Sequence, residues 1–172
     1  FILQNRKDGL MYTWEDAKYW NFYDWSPYMD GVIDGVIGAK ETPAPDVMIN
    51  ILTVMALQAM EYLCEKTGQT YPYSGVREAL IANTRKAFFV AEDGLFTMKM
   101  GERIYTQLAN SLAILNGFAT QDEAKRICEK LCTDEMLSSA MSMNVFKYDA
   151  LLQTDEARYK EYILEDMRKD FK

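Results

Sequence analysis

The chain of 172 residues contains no histidine. That absence removes Ser-His and Cys-His catalysis, imidazole general bases and imidazole-ligated metals together. Cysteine is scarce, at three residues: Cys64, Cys128 and Cys132. An odd count excludes a complete internal disulfide framework. Cys128 and Cys132 stand four apart on a predicted helix, and two thiols do not close a zinc site, so small core residues or spare thiols are expected. Positive charge is in deficit. Lys and Arg total 19 against 26 Asp and Glu, a formal net charge of -7, which disfavours a nucleic-acid partner. No apolar run approaches the length of a membrane span, and no secretory leader is visible at the start. No motif asks for a cofactor. Asp30 and Asp34 each precede a glycine, but the ligand spacing of an EF-hand loop is not met.

What is present is ordinary in bulk, with 49% apolar and 26% charged residues. A chain of this length fits one domain and can bury a core. Its opening, Phe1-Ile2-Leu3-Gln4, reads like the end of an element, so an excised or processed piece of something longer is expected.

One stretch is not ordinary. Trp20-Asn21-Phe22-Tyr23-Asp24-Trp25 gathers four aromatic rings, an amide and a carboxylate, and Ser26-Pro27-Tyr28 follows. Nothing in it alternates cleanly between apolar and polar, as a strand would. Aromatic faces stack on the C–H faces of sugar rings, and a neighbouring carboxylate or amide can bind hydroxyl groups. Ligand clefts are typically aromatic-lined with a few polar groups, which makes this stretch the candidate site. The alternative is that the rings plug the mouth of a helical core. The surrounding carboxylates, Glu15, Asp16, Asp30, Asp34 and Glu41, read as solvated loop groups or turn caps.

Residues 1–44 look irregular, with turn signals at Asp8-Gly9, Asp30-Gly31, Asp34-Gly35, Gly38, Pro43 and Pro45. Residues 45–172 look helical. A broad apolar stripe through Val47, Ile51, Val54, Met55 and Ala59 predicts a helix from Asp46 to Thr67-Gly68, buried on more than one side. Ser74 is placed to cap a second helix carrying Val76, Leu80, Ala87 and Phe88. Leu95-Phe96-Thr97-Met98 reads as a short extended piece. A third helix is expected from about Tyr105 to Asn116-Gly117. Thr120 and Glu123 have the spacing of a capping box, opening a fourth helix to about Leu131. Thr133 is placed to cap a short fifth region. A further helix covers about Met141 to Gln153, and Thr154-Asp155 opens the last. Met48, Met55 and Met60 read as core filler. Met98, Met100, Met136, Met141 and Met143 could instead cover a surface. Gln107 and Asn110 could reach a binding bowl or bond between helices. The whole reads as all-α, built of antiparallel αα-hairpins, without the fixed repeat of a tetratricopeptide array.

The Trp20–Trp25 stretch resembles the Trp-x-Phe-x-Asp-Trp segment of bacterial α-L-rhamnosidases. Asp93-Gly94-Leu95-Phe96, and then the run from Gln107 to Ala119, look like that family's next helix pair. The order of parts is similar over nearly the whole chain. The resemblance implies an inverting glycosidase with a catalytic (α/α)₆ toroid of twelve helices. This chain would supply about half of that toroid. Inverting enzymes need a carboxylic acid to protonate the leaving oxygen and a carboxylate to activate water. The family's acid lies upstream of the aromatic loop, and its base follows a tryptophan beyond a helix like 155–172. Trp14-Glu15 is the wrong side of the loop for that role. The resemblance therefore implies that both catalytic carboxylates are absent and the fragment is inactive alone. Asp24 and Trp25 match the family's Asp-Trp and imply sugar contacts, with Trp20 and Tyr23 behind them. The implied partner is a saccharide or rhamnosylated glycoside, with neither nucleic acid nor membrane. Exposed helix flanks would promote self-association. A non-catalytic helical interaction module and a piece of another (α/α)₆ glycosidase remain the alternatives.

Overall fold

The computed structural model describes residues 2–15, 20–33, 35–37, 40 and 42–170. Asp16, Asp34 and Glu41, expected as loop carboxylates, lie outside the described residues. Five α-helices dominate: α1 (Val47–Thr67), α2 (Val76–Phe88), α3 (Gln107–Leu115), α4 (Gln121–Leu131) and α5 (Asn144–Asp170). Three antiparallel hairpins of two-residue strands join them: β1 (Arg6–Lys7) with β2 (Leu10–Met11), β3 (Val32–Ile33) with β4 (Val36–Ile37), and β5 (Phe89–Val90) with β6 (Leu95–Phe96). The chain is thus mostly helical with a few short strands. The first two hairpins fall in the stretch expected to be irregular. Asp8-Gly9 makes the tight turn of β1–β2, with both residues at positive φ (53° and 78°).

The helix ends follow from local chemistry. Asp46 caps α1, its Oδ1 accepting from the Ile49 N–H at 2.8 Å, and Gly68 closes it in the left-handed region at φ 67°. Thr106 caps α3. Thr120 and Glu123 form the full capping box at the start of α4, with distances of 3.3 and 2.7 Å. Two expected caps are different. Gly75, not Ser74, opens α2, in a left-handed conformation and without a side-chain cap. Thr133 opens no helix. Its hydroxyl accepts from the Glu135 N–H inside a bend, and a 3-10 turn at Met141–Met143 follows instead.

Two asparagines play the same part in successive repeats of a strand-hairpin-on-helix unit. Asn50 stands four residues after the cap of α1. Its Oδ1 accepts from the Met11 N–H (2.8 Å), and its Nδ2 donates to the Met11 carbonyl (3.0 Å) and the Asp46 carbonyl (2.7 Å). Asn110 stands four after the cap of α3 and does the same with Phe96 (2.9 and 3.0 Å) and Thr106 (3.1 Å). Each buried amide satisfies a strand and a helix start at once. Gln107 and Asn110 are both buried, and Asn110 bonds a strand and the start of its own helix, not a second helix as one expectation had it.

α1 and α2 pack side by side. Asn50 of α1 and Asn83 of α2 grip the same β1–β2 hairpin, while Glu61 late in α1 pairs with Arg77 early in α2. That pattern makes the pair antiparallel. α3 and α4 form a second pair across a connection of residues 116–120. α5 contains the third. Its backbone leaves helical geometry at Asp155 (φ -161°, ψ 89°). Lys147 Nζ nevertheless lies 2.5 Å from Asp166 Oδ2, nineteen residues on. On a straight helix such residues would stand about 28 Å apart. The two arms of α5 therefore fold back on each other at Asp155, whose Oδ1 caps the second arm through the Arg158 N–H at 3.1 Å. This is the boundary expected at Thr154-Asp155.

One apolar core runs through the pairs, with Val47, Ile51, Val54, Leu80, Phe88, Phe96, Phe118, Ile127 and Leu151 buried in it. Met98 and Met136 belong to this core, whereas Met60, expected as filler, is exposed, as are Met100 and Met141. α1 corrects another expectation: by length and composition it is apolar enough to cross a membrane. Its apolar face meets α2, α3 and β2, as a core helix does. The outer side of its second half carries exposed Met60, Tyr62 and Leu63, so burial on more than one side holds only for the first half.

Candidate functional site

The aromatic stretch folds into a ledge whose shape is set by a short closed loop. The Tyr23 and Asp24 N–H groups both donate to the Met29 carbonyl (2.8 and 3.1 Å), and the Met29 N–H donates to Ser26 (3.1 Å). Met29 is fully buried and anchors the loop in the core. Tyr28 takes a positive φ of 68° to make the turn, a conformation that few bulky residues adopt.

Three rings pack against one another on the outer side. The Trp20 and Phe22 centroids lie 4.7 Å apart, Phe22 and Trp25 4.7 Å, and Trp20 and Trp25 5.8 Å edge to face. These are favourable aromatic geometries. Trp25 remains 67% exposed, so its indole face is held in place yet open to solvent. Trp20 is tethered by its Nε1–H donating to the Gly31 carbonyl at 3.2 Å. Gly31 must be glycine: its φ is +62°, and an added Cβ would come within 2.4 Å of Trp20 Nε1.

Asp24 lies beneath this surface, 0% exposed. Its Oδ1 accepts from the Trp25 N–H (2.8 Å), and its Oδ2 accepts from the Ser26 hydroxyl (2.7 Å) and the Ala140 N–H (2.8 Å). A carboxylate offers about four acceptor positions, so three internal donors use most of its capacity. The carboxylate orients the ledge and ties it to the segment before the Met141–Met143 turn.

Tyr23 points to the opposite side. Its hydroxyl donates to Asp46 Oδ2 at 2.8 Å, which joins the ledge to the N-terminus of α1. There a cleft of about 370 Å³ opens, with Asn21, Tyr23, Tyr28, Asp30, Asp46 and Lys99 among its walls. Amide, phenol, carboxylate and ammonium groups around one opening can both donate to and accept from hydroxyls. Asn21 is itself fixed by a two-way exchange with the Trp14 backbone, at 2.9 and 3.0 Å. Glu15, the neighbour of Trp14, pairs with Lys40 on the surface at 2.8 Å.

Of the four residues singled out from the sequence, Trp20 and Trp25 thus share the ledge, Tyr23 faces the cleft, and Asp24 lies between. Lys99 and Asp46 were not singled out. They meet through a bridge between distant segments, and nothing local marks either. Tyr28 carried the signal of an aromatic beside proline. Among the described residues no cluster of three Cys, Asp or Glu side chains is arranged to hold a metal ion.

No family model matches the chain, and no curated protein does. Its fold is similar to the crystal structure of a GH78 family rhamnosidase of Bacillus sp. GL1, with a TM-score of 0.78 over 99% of this chain at 18% identity. The chain spans only 17% of the length of that protein. The likeness shows a rhamnosidase-like fold across essentially all the residues at hand.

Proposed function

We propose that the chain is part of a glycoside hydrolase of the α-L-rhamnosidase type, supplying one wall of a saccharide cleft and hydrolysing nothing by itself. The observation that carries this reading is the fold likeness to a rhamnosidase over nearly the whole chain. Three helix pairs are also what half of an (α/α)₆ toroid would contribute. In this reading Trp25 is the stacking platform, with Trp20 behind it. Tyr23 and its neighbours bind hydroxyls in the adjoining cleft, and Asp24 sets the angle of the platform from beneath. The general acid and general base come from outside this chain, so bond cleavage needs residues it does not carry.

The test is a titration of the purified chain with a rhamnosylated glycoside, followed by tryptophan fluorescence. Saturable quenching is expected, and Trp25→Ala should weaken it by about 5- to 150-fold, since stacking is worth about 1–3 kcal/mol. Unchanged binding in Trp25→Ala would remove the platform. No binding at all would favour the interaction-module reading. Turnover of an aryl α-L-rhamnoside by this chain would overturn the inactive-fragment reading.

A further inference from the structure

A second opening, of about 290 Å³, lies beside the fold-back of α5. Gln107, Ser139, Asn144, Lys147, Tyr162 and Asp166 are among its walls. Lys147 is only 5% exposed, which is rare for a lysine. Its ammonium meets Asp166 Oδ2 at 2.5 Å and sits 5.2 and 5.8 Å from the ring centres of Tyr148 and Tyr162. The Tyr148 hydroxyl also donates to Asp166, at 3.2 Å. Further out, Lys169 and Asp134 add one charge of each sign. The opening is therefore polar but balanced in charge. Ser139 completes it: its hydroxyl oxygen is buried, and among the described residues it has no hydrogen-bond partner. A buried hydroxyl left without a partner costs about 1–3 kcal/mol, so a ligand group that answers it gains that much in return.

The position of this opening connects it to the aromatic ledge. Ala140, whose N–H is held by Asp24, stands between Ser139 and Met141, and both of those line the opening. Ala140 of this short strip fixes the ledge, and its two neighbours line the opening that also holds the Lys147–Asp166 pair.

We propose that this opening is a second saccharide subsite, taking the vicinal hydroxyls of a neutral sugar against the closed Lys147–Asp166 pair while Ser139 bonds a further hydroxyl. The balanced charge disfavours an anion. A mixed array of donors and acceptors with a tyrosine ring beside it is what a polyol requires. The ligand class rests on the saccharide reading above, and the experiment separates the two.

The experiment is a titration of the isotopically labelled chain with L-rhamnose and with a rhamnosylated glycoside. Amide shifts of residues 133–144 report the opening, and the Trp25 indole N–H reports the ledge. Saturable shifts in both are expected. Ser139→Ala should lower affinity at the opening about fivefold. It should also leave the unliganded chain at least as stable as before, because the hydroxyl makes no internal bond and its loss removes a buried unpaired group. A purely structural role for Ser139 would do the reverse. Lys147→Met with Asp166→Asn, changed together so that no buried charge is stranded, should abolish the shifts at 133–144 and spare those of Trp25. Shifts at Trp25 with none at 133–144 would overturn the second subsite and leave the ledge standing. Shifts at neither would overturn both. Shifts at 133–144 that persist in Ser139→Ala and in the double variant would overturn the residue assignment.

Discussion

At the scale of single residues, Asp24 and Glu123 are carboxylates whose main work is internal. Asp24 gathers two backbone N–H groups and one hydroxyl. Asp24→Ala strands all three and should cost about 2–4 kcal/mol, with Asp24→Asn roughly half of that because one acceptor oxygen survives. Urea unfolding measures both, and midpoints equal to the unmodified chain would show the latch to be idle. Glu123 closes the capping box of α4 and also pairs with Arg85 of α2, at 2.8 and 3.0 Å. The Arg85 guanidinium and the Thr120 cap hold its carboxyl from an ordinary 4.5 down to about 2, against the opposing effect of burial. A folded value below the unfolded one gives stability that is complete above about pH 5 and lost as the pH falls toward 2. The loss should be about 2–3 kcal/mol, and Glu123→Gln should flatten that part of the stability profile measured between pH 7 and 2.

At the scale of elements, the molecule repeats one device. Asn50 and Asn110 each hold a strand backbone and a helix cap with three bonds. Replacing either by alanine should destabilise the chain by about 2–4 kcal/mol, as read by thermal or urea unfolding, whereas an exposed asparagine would cost little. The helix ends that rest on neighbours in sequence were legible there: the start at Asp46, Thr120 with Glu123, Gly68, and the break at Thr154-Asp155. Each is a bond spanning at most a turn. Ser74 misled because its hydroxyl was available but the chain entered α2 through a left-handed glycine instead. The short strands were harder, since two residues are too few to display a period. The candidate site was legible in composition but not in geometry. Trp25 and Asp24 stand side by side in sequence and emerge on opposite sides of the surface, because Asp24 is claimed by Ala140, 116 residues away. Lys147 lies in a predicted helix, where nothing in the sequence sets it apart. Only the fold-back of α5 buries it.

At the scale of the whole molecule, the apolar side chains that remain outside are informative. Tyr62 and Leu63 on α1, and Met141 and Val145 near the start of α5, are all at least half exposed. Apolar groups on the flanks of a partial helical ring are where neighbouring helices would pack. The isolated chain should therefore self-associate at high concentration, and Leu63→Glu should move the sedimentation profile toward monomer. A clean monomer in the unmodified chain would count against the half-toroid reading. The tie between Asp24 and Ala140 carries a consequence for synthesis. Closing a loop of that length costs about 4 kcal/mol of chain entropy, recovered only once both ends are present. During translation the tryptophans leave the ribosome before Ala140 does, so the bond that aims them has to wait for Ala140, 116 residues after Asp24. The aromatic ledge is then ordered only after Ala140 has emerged, and a nascent chain released before that point would carry it unaimed.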